Sequence, residues 1–170
     1  MKYKITFLDF WHLSSGLSGG AKFDESVVKD SQGLPYVPGK TIKGLLRDLI
    51  KDEEVLRVCF GDEGEKIACC YFSNAFLEDE VRAFIANDPS MKFYLYDELA
   101  NISIEKDSGV TKDGSLRELE VVKPLSLFGS IENIPPKYEA SIANALKSIK
   151  RMGLNRNRGL GRCKIEVIGE

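Results

Sequence analysis

The chain has 170 residues, 43% hydrophobic and 29% charged, the balance of an ordinary globular domain large enough to close one core. Its net charge of -2 and pI of about 5.6 argue, taken alone, against a nucleic-acid partner. No apolar run approaches membrane-spanning length and no secretory leader is evident, so the expected setting is cytoplasmic, with no membrane partner.

In chain order, Lys2 to Phe10 alternates Tyr3, Ile5 and Phe7 against Lys2, Lys4 and Thr6, the pattern of a half-buried strand. Ser14 to Gly20 carries three glycines and three serines and reads as a loop. Pro35, Pro38 and Gly39 precede a helix whose apolar stripe is Ile42, Leu45, Leu46, Leu49 and Ile50. Ala68 to Leu77 reads as a strand, Asp79 to Ala86 as a short helix, and Met91 to Tyr96 as another strand. Asn101 to Leu119 is polar and reads as an extended hairpin or mobile lobe. Glu120 to Ile131 reads as one long strand, with Leu125, Leu127 and Ile131 on one face. A second helix is predicted from about Tyr138 to Met152, with Tyr138, Ile142, Leu146 and Ile149 as its stripe and Gly153 as its stop. The last strand puts Cys163, Ile165 and Val167 on one face. This order predicts an α+β, ferredoxin-like βαββαβ domain, a single domain over residues 1–170. Sheets of that type often carry RNA, although a fold alone does not specify a function.

The charge is unevenly spread. Seven acids lie between Asp48 and Glu65, whereas none occurs from Ala140 to Ile165. The latter stretch holds Lys147, Lys150, Arg151, Arg156, Arg158, Arg162 and Lys164, and a local basic surface attracts phosphate whatever the global sum. Cys59, Cys69, Cys70 and Cys163 show no C-x-x-C spacing and no histidine partners. They read as reduced thiols filling small core positions rather than a zinc site, with adjacent Cys69 and Cys70 on opposite faces of a strand.

Gly39-Lys40-Thr41 before a helix invites comparison with a phosphate-binding P-loop. That pattern needs a glycine where this chain has Leu34, and Pro35 and Pro38 lack the N–H donors, so a helix start with Thr41 near the cap is the better reading. Gly33 to Arg47 contains no acid and sets cations near a helix start; on composition it is a solvated amphipathic helix, although the cations suit an RNA backbone. Gly153 to Arg162 (GLNRNRGLGR) is more pointed. A turn between helix and strand needs one glycine, not three with three arginines, and close backbone approach plus guanidinium forks suits phosphate. His12 is the only histidine; it could be a general base, but such a residue after an aromatic strand end is more often structural. Asp24 and Asp30 both read as loop aspartates, with nothing in composition to favour either.

Together these stretches resemble the RAMP superfamily, in particular the small backbone subunit of type III CRISPR effector complexes. The resemblance rests on Phe23 to Arg47 (FDESVVKDSQGLPYVPGKTIKGLLR), Cys59 to Asp62 (CFGD), Ser108 to Val122 (SGVTKDGSLRELEVV) and Gly153 to Arg162, in family order. It implies a modified, RNA-recognition-motif-like fold with a thumb hairpin inserted at about 97–120. It also implies guide-RNA phosphates held by Lys40, Lys43 and Arg47 and by the loop of Asn155, Arg156, Arg158, Gly159, Gly161 and Arg162. Subunits of this kind stack along a CRISPR guide RNA and meet target RNA, other RAMP subunits and the large and small subunits of the effector.

Asp24 matches the aspartate that slicing members require for target cleavage. The chemistry implied is attack by the target's own 2′-hydroxyl on the adjacent phosphate, leaving a 2′,3′-cyclic phosphate. Asp24 would serve as base or as ligand to a divalent metal such as Mg2+. The chain departs from the pattern in reading Asp24-Glu25-Ser26-Val27 where slicing members commonly read Asp-Ser-Pro-Val, and Ser73-Asn74-Ala75 where the family has Ser-Asp-Ala. Its shortness implies a trimmed thumb or lid. Three further readings stand behind the slicing subunit: a non-catalytic structural or capping relative, a nuclease processing the CRISPR precursor, and a plain protein-interaction domain.

Overall fold

The computed structural model describes residues 1–16, 26–61, 67–101 and 117–169. Its elements in chain order are β1 (Lys2–Phe7), α1 (Gly39–Leu49), α2 (Glu53–Val55), β2 (Tyr71–Phe72), α3 (Asp79–Asn87), β3 (Tyr96–Asn101), β4 (Arg117–Val122), β5 (Ser126–Glu132), α4 (Glu139–Ser148) and β6 (Cys163–Ile168). A π-helical turn, Leu56–Phe60, follows α2, and 3-10 turns occupy Pro89–Leu95 and Pro136–Tyr138.

Four strands form one antiparallel sheet in the order β2-β5-β1-β6; β3 and β4 form a separate two-stranded ladder. The alternation in β1 sets the layers. Tyr3, Ile5 and Phe7 are buried, opposite Gly129, Leu127 and the start of β6, while Lys2, Lys4 and Thr6 face outward. The inward face meets the stripes of α1 (Ile42, Leu46) and α4 (Ile142, Ala145, Leu146) in one core. Gly129 is required where it stands, because a Cβ there would strike the ring and hydroxyl of fully buried Tyr3.

Several predicted elements take a different form. β1 stops at Phe7 rather than Phe10: the chain leaves the sheet, Trp11 stacks on Phe7 at 4.3 Å, and Trp11 pairs instead with Val122. Of Ala68–Leu77 only Tyr71–Phe72 is strand, because the Ser73 hydroxyl accepts the Ser130 N–H (2.7 Å) and interrupts the ladder. Met91–Tyr96 is not a strand before Tyr96: the Asp88 carboxylate accepts the Ser90 N–H and Pro89 opens a 3-10 helix. The long strand over Glu120–Ile131 is two, β4 and β5, separated at Pro124, which cannot donate to a ladder. α4 ends at Ser148, not Met152; Ile149 turns into the core and the chain runs extended to an Arg151–Arg162 bridge. Of the region 97–120, where an insertion was expected, residues 102–116 lie outside the described residues; its ends are β3 and most of β4. Among the described residues no helix is long and apolar enough to cross a membrane.

Candidate nucleic-acid interface

Residues 10–15, just past β1, are the hub of the candidate site. Trp11 exchanges backbone hydrogen bonds with Val122 of β4 (3.0 and 2.8 Å). The Phe10 and His12 carbonyls accept the N–H groups of Gly161 (2.8 Å) and Leu154 (2.9 Å). Leu13 accepts from Val28, and Ser15 donates to Ser26 (2.8 and 3.0 Å). One short segment therefore gathers the chain on either side of residues 17–25, the β3–β4 ladder and the C-terminal glycine-rich loop. His12 is fully buried here; its Nδ1 lies 2.6 Å from the Glu120 carbonyl, which can only accept, so Nδ1 carries the proton. It is a structural post, and the general-base reading does not suit its burial.

The loop 153–162 is held at both ends and open between. Gly153 (φ +94°) and Gly161 (φ +70°) take left-handed conformations in which a Cβ would collide with the His12 and Met152 carbonyl oxygens respectively. The Met152 N–H donates to Gly161 (3.0 Å), and Leu160 packs with Leu119 and Val121 of β4. Between these anchors Arg156, Asn157, Arg158 and Gly159 are exposed, and Asn155, itself at φ +54°, accepts the Arg158 N–H at 2.7 Å. Arg151, Arg156, Asn157, Gly159, Leu160, Arg162 and Asp9 line a cavity of about 380 Å³. Its wall carries three guanidinium groups and one carboxylate. That carboxylate takes a two-point contact from Arg162, Nε to Oδ2 at 3.0 Å and Nη2 to Oδ1 at 3.3 Å, which fixes the Arg162 plane. Arg151 donates to the Arg156 carbonyl at 3.2 Å. Asp9 completes this cavity beyond the stretches singled out in sequence. Asp9 lies 153 positions from its arginine and carries no local signal.

Lys40, Lys43 and Arg47 follow one another at i, i+3 and i+7, so α1 sets them on one face. Lys40 and Arg47 are exposed, and the Lys43 ammonium lies 5.9 Å over the Phe72 ring. Thr41 does not cap this helix. Pro38 is the N-cap residue, and the Asn74 side chain accepts the Gly39 N–H at 2.8 Å from outside. The Thr41 N–H is bound to the Pro38 carbonyl (2.9 Å), so the side chains, not the helix terminus, are what α1 offers an anion. Gly39 is pressed against the Phe72 and Ser73 carbonyl oxygens, where a Cβ does not fit. α1 thus starts at the β2 edge of the sheet, whereas the arginine loop leads into β6 at the opposite edge. The structure does not merge the two basic groups into one cluster; Arg47 lines a different cavity, with Arg57, Glu53 and Glu54.

Asp24 and Glu25 lie outside the described residues, while Asp30 has a structural occupation. Its Oδ1 accepts the Gln32 and Leu34 N–H groups (2.9 and 3.0 Å), and its Oδ2 pairs with Arg82 at 2.9 Å. Just beyond residue 25, the Glu120 carboxylate accepts the Val27 N–H (3.0 Å) and the Lys29 ammonium (2.6 Å), largely shielded from water. Lys29 also sits 4.3 Å from the Tyr96 ring, whose hydroxyl donates to Gly33 (2.7 Å).

A model of the RAMP superfamily matches residues 4–164. The chain belongs to the RAMP superfamily. A search of curated proteins finds no match. Among solved structures, a chain of the type III-B Cmr-beta complex bound to cognate target RNA superposes with a TM-score of 0.76 at 12% identity, covering 97% of this chain and 95% of that one. A chain of the same complex in its apo state gives 0.75 at 13% identity, covering 99% and 97%. This RAMP domain therefore shares its mixed, antiparallel fold with those subunits over nearly the whole of both chains.

Proposed function

We propose that this RAMP protein is a subunit of a type III CRISPR effector complex that binds guide RNA through the arginine-walled loop 153–162, assisted by the basic face of α1. The observation that carries the reading is the cavity of Arg151, Arg156, Asn157, Gly159 and Arg162, an exposed guanidinium-rich wall on a loop anchored at both ends. Guanidinium forks and glycine N–H groups are what phosphodiester oxygens need. The placement of the second basic group at the opposite sheet edge suits a subunit whose guide strand continues onto neighbouring RAMP subunits. Four strands span roughly 14 Å, three spacings of about 4.8 Å. The strand order β2-β5-β1-β6 is what a ferredoxin-like βαββαβ chain gives when a thumb hairpin, here β3–β4, is inserted between its second and third sheet strands. The same hub that holds the arginine loop holds the residues flanking Asp24, which supports the further reading that the subunit also cuts target RNA there. A divalent ion such as Mg2+ would supply charge stabilisation at the scissile phosphate; the chain's own part is to bring Asp24, the thumb base and the guide together. The large and small subunits of the effector are the remaining expected partners.

Binding is tested with single-stranded guide RNA by fluorescence anisotropy across a salt series, comparing wild type with Arg156→Ala/Arg158→Ala. Two lost phosphate contacts should lower the slope of log K against log salt by about 1.4 and weaken binding about tenfold or more. Equal slopes would remove the loop from the interface. Cleavage is tested in the reconstituted complex with guide, complementary RNA and Mg2+. Asp24→Ala should retain assembly and lose the regularly spaced cuts; unchanged cuts would leave a structural RNA-binding subunit.

A further inference from the structure

Three of the four cysteines meet in space, although their spacing in sequence carries no metal signature. Cys59 closes the π-helical turn Leu56–Phe60, and Cys69 and Cys70 lie just before β2. Two backbone hydrogen bonds hold the segments side by side: the Cys69 N–H donates to Val58 (3.0 Å) and the Cys70 N–H to Cys59 (3.4 Å). Residues 69 and 70 are not strand, so their side chains are not sent to opposite faces. Their sulfurs are 3.8 Å apart, and all three sulfurs lie within 4.8 Å of one another. Two thiolates bound to one Zn2+ at about 2.3 Å and a tetrahedral angle sit about 3.8 Å apart, so the triangle needs an adjustment of no more than about 1 Å to close on an ion.

We propose that Cys59, Cys69 and Cys70 form a zinc site, with three thiolates on one Zn2+ and solvent in the fourth position. On binding, three S–H bonds release protons to solvent and three Zn–S bonds form. Cys59 and Cys70 are buried and Cys69 is exposed, so the cluster is shielded from water on one side and reachable from the other. Burial, reinforced by the neighbouring thiols, holds Cys70 well above the usual thiol range, and burial also raises Cys59, against a hydrogen bond with Cys70 that lowers it. Because thiolates and not thiols bind the ion, its affinity rises with pH. π-Helical turns are uncommon and concentrate at functional sites. Here the ion would clip the end of that turn to the entry of β2. The next residues, Phe72 to Asn74, pack against and cap the start of α1, so the clip would stiffen the base of the basic helix face.

The test is cobalt titration of the reduced, full-length chain under anaerobic conditions, read by the thiolate-to-metal charge-transfer band and by competition with zinc. Wild type should bind one equivalent with the intensity of three thiolates, and zinc should displace it. Cys69→Ser, at an exposed position, should keep native circular dichroism yet bind at least tenfold more weakly, while Cys163→Ser should bind as wild type. No band in wild type, or equal affinity in Cys69→Ser, would overturn the proposal.

Discussion

At the scale of single residues, the glycines of the C-terminal loop have unequal tasks. Gly161 combines φ +70° with a backbone carbonyl where its Cβ would be, whereas Gly159, at φ +93°, has open space around it. Gly161→Ala should therefore destabilise the fold by about 2 kcal/mol or more, and Gly159→Ala by about 1 kcal/mol, in chemical denaturation. Equal losses would contradict the steric account. The loop's character is legible in sequence, because three glycines with three arginines exceed what a turn needs. What is not legible is which arginine has a protein partner. Arg162 meets Asp9 only through the fold, and the bond orients it, whereas exposed Arg158 has no side-chain partner among the described residues. His12 shows the reverse: its chemistry invites a catalytic reading, and its complete burial under the Glu120 carbonyl gives it a structural one.

At the scale of elements, α1 depends on a residue 35 positions away. Asn74 supplies the acceptor that the Pro38-Gly39 start lacks, where the family has aspartate. Asn74→Ala should cost about 1 kcal/mol in thermal or denaturant unfolding, and Asn74→Asp should restore it, since a carboxylate accepts the same N–H and favours the positive helix end. A loss in both variants would mean that packing, not capping, is at stake. The long periodic elements, β1, α1, α4 and β6, could be read from sequence because their burial pattern is their period. The edge strand β2 and the 3-10 helix Pro89–Leu95 could not. Side-chain bonds outweigh the apolar pattern in both: Ser73 to Ser130, reached only through the fold, and Asp88 to its near neighbour Ser90. The three-cysteine cluster escaped for a related reason: spacing rules describe ligands on one local loop, and here two segments are joined by backbone pairing.

At the scale of the whole molecule, residues 10–15 tie the flanks of the Asp24 segment, the β3–β4 ladder and the arginine loop into one assembly. These three regions are more than a hundred residues apart in sequence at the extremes, yet they belong to three of the four motifs by which the chain resembles its superfamily. Their convergence gives the motif order a physical meaning that periodicity alone does not reach. The central claim is that guide RNA runs against the loop and the α1 face. The most direct measurement is ultraviolet cross-linking of the reconstituted, guide-loaded complex, with the cross-linked peptides mapped by mass spectrometry. Guide cross-links should fall in peptides spanning residues 151–162 and 40–47 and be diminished at the former by Arg156→Ala/Arg158→Ala. Cross-links confined to other surfaces, with these two regions unmodified, would contradict it.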